Sequence, residues 1–186
     1  MSISYKLLIT GPVGAGKTNA LSAISDVEPI KIEARAMDGS SGKRSQTIVS
    51  VHYGSMAIEG DAKLHLYATP GRERFGFMWD IIDNGGIALI LLIDDTRPAP
   101  LEDLQMYVET FTAFIETHTL VVGITNLRSD SFGMLGRYIQ TLQELDVDAP
   151  VFSVDSKSRD DIFKLLESAI YRVDPTVKAV SDASIH

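Results

Sequence analysis

Apolar residues along this chain fall into short runs that alternate with stretches of helical spacing. Lys6-Leu7-Leu8-Ile9-Thr10 is a continuous apolar run closed by a Gly-rich turn, the pattern of a strand buried on both faces. A helix is predicted from about Lys17 to Ser25. Between 26 and 45, Pro29, Gly39, Ser40, Ser41 and Gly42 punctuate a stretch of weak periodicity, which predicts a long mobile loop. Gln46–Ile58 reads as an alternating strand through Ile48, Val51, Tyr53 and Met56. A short turn at Glu59-Gly60-Asp61 joins it to Lys63–Ala68, so the two make an antiparallel hairpin. Further on, the spacing predicts a helix near Arg74–Asn84, a strand at Ile87–Ile93 and a helix over Leu101–Glu116. A strand at Leu120–Thr125, a helix over Met134–Leu145, a strand at Val151–Val154 and a helix over Asp160–Tyr171 complete the chain. This alternation predicts an α/β fold of three layers: a six-stranded, mostly parallel sheet with one antiparallel edge strand and helices on both faces. With no internal repeat or low-complexity linker, residues 1–186 read as one domain, its core about 5–172 and 173–186 a C-terminal tail.

Composition narrows the class. Seventeen basic against 25 acidic residues give a net charge of −8, which argues against a nucleic-acid backbone or an anionic membrane as partner. The absence of cysteine excludes disulfides and thiolate metal sites. The longest apolar run, Ile87 to Ile93, is too short for a bilayer. Met1–Lys6 lacks the shape of a signal peptide, Ser2 excludes N-myristoylation, and the C-terminus holds no cysteine to prenylate. The expectation is a cytoplasmic protein with no stable membrane anchor. No Ser-His-Asp or Cys-His arrangement points to nucleophilic catalysis.

One motif carries the chemistry. Gly11-Pro12-Val13-Gly14-Ala15-Gly16-Lys17-Thr18 fits G-x-x-x-x-G-K-[ST], the phosphate-binding P-loop or Walker A motif, and lies between a predicted strand and a predicted helix. Glycines let backbone N–H groups of Gly11, Val13, Gly14, Ala15 and Gly16 curl round a β-phosphate. Lys17 reaches the β- and γ-phosphates, the Thr18 hydroxyl ligates Mg²⁺, and the helix adds its positive N-terminal dipole. The motif names a nucleotide, not a reaction: kinases of small metabolites, ATPases and GTPases all use it.

Further along, Ala68-Thr69-Pro70-Gly71-Arg72-Glu73-Arg74-Phe75 resembles the D-T-A-G-Q-E-R-F segment of Ras-like small GTPases, particularly their Rab and Arf branches. The T-P-G form, with the stretches from Arg74 to Asp80 and from Leu92 to Arg97, is more similar to bacterial small GTPases of the gliding-polarity and roadblock-associated types. The resemblance covers roughly residues 5 to 172. It implies a molecular switch that binds GTP or GDP with Mg²⁺, hydrolyses GTP and signals to a protein effector or regulator, one candidate being of the roadblock/longin type. In such a switch the N–H of Gly71 binds the γ-phosphate and lets go after hydrolysis. Thr47-Ile48-Val49-Ser50-Val51-His52-Tyr53-Gly54 is similar to the family's T-x-x-x-D/H-Y/F-G, which implies that Thr47 is a second Mg²⁺ ligand.

The chain also departs from the family. Ala68 stands where an aspartate orders Mg²⁺ through water, and Arg72 where a glutamine orients the attacking water. Slow intrinsic hydrolysis follows, with Arg72, Arg35 or Arg44 as donors to the γ-phosphate from within the chain. Val13 crowds the path of a partner's arginine finger. In place of N/T-K-x-D the chain has Asn126-Leu127-Arg128-Ser129, with Asp130 one position late. The backbone loop that meets the base corresponds to Asp155-Ser156-Lys157, with Lys157 stacking on it. Guanine therefore comes from the resemblance, and the residues alone leave adenine open, as they leave open a nucleotide-binding scaffold that does not hydrolyse. His52, His65 and His118 read as structural, Asp94-Asp95 as a turn or cap at a strand end, and Phe75, Phe77, Met78 and Trp79 as core or as a partner surface.

Overall fold

The computed structural model describes residues 4–37, 46–58, 62–69, 86–128 and 131–176. Its elements are β1 (Ser4–Thr10), α1 (Lys17–Ile24), β2 (Ile30–Met37), β3 (Gln46–Ile58), β4 (Ala62–Ala68), β5 (Gly86–Asp94), α2 (Pro100–Thr110), α3 (Thr112–Ile115), β6 (Thr119–Thr125), α4 (Ser131–Glu144), β7 (Val151–Val154) and α5 (Arg159–Val173). The strands form one seven-stranded sheet in the order β2-β3-β4-β1-β5-β6-β7. From β4 to β7 all neighbours are parallel, while β3 runs antiparallel to β4 and β2 antiparallel to β3.

Strand alternation sorts the apolar residues into two layers. Leu7 and Ile9, Leu64 and Leu66, Ile90 and Leu92, and Val121 meet Leu21 and Ile24 of α1 and Ile162, Leu165 and Leu166 of α5 on one face. Leu8, Leu89, Leu91, Ile93, Val122 and Ile124 fill the other face with Leu104 and Tyr107 of α2, Phe114 of α3 and Tyr138 and Leu142 of α4. A strand covered on both faces has no polar alternate, so β1, β5 and β6 read as unbroken apolar runs. Local chemistry marks the starts of two helices. Ser158 caps α5 by accepting from the Asp161 N–H, with Asp160 and Asp161 in the positive first turn. Pro100 opens α2, followed by Glu102 and Asp103. Among the described residues no helix is long and apolar enough to cross a membrane.

The expected α/β architecture holds, but the antiparallel strand β3 lies inside the sheet and not at its edge. The sheet has seven strands, not six. The additional one, β2, occupies part of the stretch expected to be a long mobile loop. Ile30, Lys31, Ile32 and Glu33 are all exposed, because a strand at the rim of a sheet needs no buried face. Its apolar signal is correspondingly weak. The β3–β4 pair is antiparallel as expected, whereas the helix expected at Arg74–Asn84 lies outside the described residues. The predicted helix over Leu101–Glu116 divides at buried Phe111 into α2 and α3.

Gly123 lies where α5 packs on the sheet: a Cβ there would sit 2.8 Å from Leu92 Cδ2 and 2.9 Å from Leu165 Cδ1. Gly123→Ala therefore overpacks the layer and lowers stability by about 1–3 kcal/mol in urea unfolding. Gly136 in α4 has open space around its Cα, so Gly136→Ala raises stability by about 0.5–1 kcal/mol in the same measurement. Equal effects at the two sites would contradict this reading of the packing.

Candidate functional site

Parallel strands β1, β5, β6 and β7 end together at one edge of the sheet, the edge where open α/β folds take their ligands. The loop 11–16 leaves β1 there and enters α1 at Lys17. Two glycines fix its path. Gly11, at φ 144°, passes so near β5 that a Cβ would lie 2.1 Å from the Leu92 carbonyl oxygen. Gly16, at φ 94°, packs on the loop after β7, and a Cβ would lie 2.4 Å from Ser156 Oγ. Between them the Ala15 N–H donates to the Pro12 carbonyl at 3.2 Å, and the Thr125 hydroxyl at the end of β6 donates to the Ala15 carbonyl at 3.2 Å.

Lys17 lies under this loop, 7% exposed, its ammonium donating to the carbonyls of Gly11 and Pro12, each at 2.7 Å. Burial, reinforced by the positive charge of Arg97, lowers its pKa to about 8. Arg97 stands at the rim. Its Nε donates to Asp103 Oδ2 at 2.5 Å and its Nη2 to Oδ1 at 3.3 Å, a two-pronged grip that leaves Nη1 directed at the Val13 carbonyl, 3.5 Å away. Thr18, next along, is exposed on the first turn of α1. On the β4 side the buried hydroxyls of Thr10 and Thr69 share a hydrogen bond at 3.0 Å, and the Thr69 N–H donates to the Ile9 carbonyl.

Two further loops reach this edge. Asn126 follows β6 in the left-handed region, φ 54°, and its side chain bonds Asp94 at the end of β5. Asp94 also accepts from the Thr96 N–H at 2.9 Å and hydroxyl at 2.7 Å. Burial would raise its pKa, but these bonds, with the charge of Arg97, hold the carboxyl below its ordinary value. After β7, Asp155 Oδ1 accepts from the Lys157 N–H at 2.9 Å, and the Asp155 N–H donates to Asp161 Oδ2 at 2.9 Å. That turn presses Ser156 against Gly16 and leaves Lys157 exposed.

The sequence-derived site thus assembles in part. Gly11, Val13, Gly14, Ala15, Gly16, Lys17 and Thr18 form one loop, with Ser156 packed on it and Asn126 at the same sheet edge. Gly71, Arg72, Arg44, Ser129 and Asp130 lie outside the described residues. The Thr47 backbone pairs with Ala36 across β2 and β3. Ala68 is fully buried at the end of β4 beside Ile9, and Leu127 packs into the apolar layer under α2 and α4. Asp95 accepts from the Tyr138 hydroxyl at 2.5 Å, an anchor for α4, and burial first and this bond second raise the Tyr138 pKa. His65 bonds the Tyr53 hydroxyl at 2.7 Å, and His118 stacks on Phe114 with ring centroids 4.1 Å apart, consistent with structural roles. Sequence reasoning does not single out Arg97, Asp103 or Thr125 as neighbours of the loop. The one available signal is Pro100, which starts α2 and so sets Asp103 in its first turn.

No family model matches the chain. It is 20% identical to the Ras-related protein RabC of Dictyostelium discoideum over 183 residues, covering 95% of this chain and 87% of that protein. It is 22% identical to the Ras-related protein RABA1h of Arabidopsis thaliana over 125 residues, 66% of this chain and 52% of the relative. These likenesses support a small Ras-like GTPase. An uncharacterized protein of Methanocaldococcus jannaschii, MJ1339, is 25% identical over 125 residues, 67% of this chain and 70% of that protein. The chain spans about half the length of the plant Ras-related proteins it matches.

An anion bound beside Lys17 favours the ammonium form, so such a ligand raises a pKa that otherwise stands at about 8. Affinity for a phosphate ligand of this loop is therefore level below about pH 7.5 and falls as pH rises through 8, by up to about tenfold per unit. Binding over that window takes up a proton, seen by titration calorimetry in buffers of different ionisation enthalpy. A flat affinity up to about pH 9 would contradict the burial of the ammonium. Gly16→Ala, which forces Ser156 away and strains the backbone, lowers affinity at every pH in the same titrations.

Proposed function

We propose that the chain is a GTP-binding molecular switch that hydrolyses GTP slowly, stimulated by a partner, and signals through the loops around Thr47 and Gly71. The observation that carries this reading is Lys17, a buried cation held by two carbonyls of the loop that precedes it, directly before an exposed Thr18. In this reading the ammonium exchanges Gly11 and Pro12 for β- and γ-phosphate oxygens. Backbone N–H groups of the loop and the N-terminus of α1 take the β-phosphate. The donor set fits a hard divalent cation: Thr18, with Thr47, offers hydroxyl oxygen to Mg²⁺, which neutralises phosphate charge when bound. Asn126 and the Asp155-Ser156-Lys157 turn face the base, and the likeness to Ras-related proteins favours guanine there.

Catalysis rests in this reading on Lys17, on the Gly71 N–H toward the γ-phosphate, and on Arg72 in place of a water-orienting glutamine. The Val13 side chain is 58% exposed at the loop's rim and obstructs an arginine finger from outside, which favours a regulator that works without one. A roadblock/longin-type regulator, and a bacterial cytoplasmic setting, belong to the same proposal and rest on the Thr69-Pro70-Gly71 segment. A second reading, a nucleotide-binding scaffold without useful hydrolysis, is favoured by Ala68, whose buried methyl replaces the Mg²⁺-ordering carboxylate.

Calorimetric titration of GDP, GTP, ADP and ATP with Mg²⁺ tests the binding claim. Guanine nucleotides bind tightly and adenine nucleotides weakly, and Lys17→Ala lowers the affinity about a hundredfold or more. Adenine preference, or no binding, overturns the switch. Multiple-turnover phosphate release then separates the two readings, since the scaffold releases none beyond background.

A further inference from the structure

β2 is the outermost strand of the sheet, and among the described residues no strand pairs with its free edge. Such an edge offers a row of N–H and C=O groups that another strand can complete. On one face of this edge Ile30 lies opposite Tyr53 and Ile32 opposite buried Val51, so both continue an apolar surface of the sheet to its rim. There they remain 56% and 39% exposed. On the other face Lys31 and Glu33, opposite His52 and Ser50, are exposed as well. Apolar side chains at an open edge are a cost in water that pairing removes.

We propose that the edge of β2 pairs antiparallel with β2 of a second copy of this chain, in a register centred on Ile32. A two-fold axis normal to the sheet maps the edge onto itself and keeps like faces together. In that register Ile32 meets Ile32 of the second copy on one face, and Lys31 meets Glu33 twice on the other. Read in opposite directions, Lys31-Ile32-Glu33 is complementary to itself, which singles out a second copy over a strand of other sequence. Sliding the centre to Glu33 sets two carboxylates directly opposite each other, so charge selects the register. Pro29 has no N–H to give and ends the ladder on one side, keeping it short. A contact of this length falls below the roughly 1,200 Å² of stable complexes, so the dimer is reversible and concentration-dependent. It joins two sheets edge to edge and needs no nucleotide.

The chain's lack of cysteine makes a direct test possible. Ile32→Cys carries a single thiol that opposes its own copy across the axis, at a spacing a disulfide can bridge. Under mild oxidation at about 100 µM this variant forms a covalent dimer at least about tenfold faster than Ile139→Cys, an exposed control on α4. Sedimentation of the unmodified chain shows a monomer–dimer equilibrium that Lys31→Glu weakens at least about tenfold. The double variant Lys31→Glu with Glu33→Lys restores it, with circular dichroism and melting curves confirming that all variants fold. A chain that stays monomeric, an Ile32→Cys that cross-links no faster than the control, or a double variant no better than the single one overturns the proposal.

Discussion

Burial of the Lys17 ammonium is the constraint from which the geometry of the loop follows. A charge taken out of water has to be compensated by close polar partners, and the Gly11 and Pro12 carbonyls are the two that hold it. For those carbonyls to converge on a side chain six residues further along, the backbone has to fold back over the start of α1. That fold brings Gly11 against the Leu92 carbonyl and Gly16 against Ser156, where a methyl group has no room. The positive φ values of these glycines are thus consequences of where the cation sits. The same arrangement prepares the lysine for an anion: it is partly desolvated, its pKa is lowered, and an approaching phosphate meets a cation that gains by exchanging partners.

Support for this loop comes from both layers of the core. α1 and α5 lie on the same face of the sheet, so the helix that begins at Lys17 and the turn that carries Ser156 are fixed by one continuous packing of Leu21, Ile24, Ile162 and Leu165. From the other face α2 contributes Asp103, which aims Arg97 at Val13, while β6 contributes Thr125 to the Ala15 carbonyl. The loop is therefore braced from both faces of the sheet. A loop held by that many independent partners keeps its shape before a ligand arrives, and the cost of ordering it is met in folding instead of binding.

Much of this was legible in the residues, for identifiable reasons. β1, β5 and β6 announce themselves because both faces are buried and the apolar runs are unbroken. The phosphate loop is legible because its glycines answer to steric demands that admit few other residues. β2 is not, since the exposed Ile30 and Ile32 alternate with the exposed Lys31 and Glu33, beside Pro29 and a Gly-Ser-rich stretch that reads as loop. Arg97, Asp103 and Thr125 are invisible for another reason: a charged residue after a strand and an acid in a first helical turn are common everywhere. Their meaning here depends on how β5, β6 and α2 are brought against the loop, a long-range fact that no local pattern carries. Leu127 is legible as a departure from the family, but its cause is visible only in three dimensions, where it fills apolar space under α2 and α4.

The two halves of the site differ in how complete they are, and the difference has a physical logic. The half proposed to take phosphate has its lysine and its glycine turns set by packing, with Thr18 exposed beside them. Around it, Ala68 at the end of β4 stands where the Ras-like pattern has its metal-ordering aspartate, and Leu127 after β6 where it has the lysine of N/T-K-x-D, and both side chains serve the core. Each replacement exchanges a polar contact with ligand for apolar burial, which favours the fold and removes a group that must be desolvated when ligand binds. Phosphate recognition tolerates this, because backbone N–H groups and one lysine supply its donors. Precise positioning of water and of a base edge does not, since each depends on one side chain at one distance. In the proposed switch this combination gives a grip on nucleotide that outlasts the speed of cleaving it. On that proposal the bound state is long-lived, and the timing of release falls to whatever meets the surface.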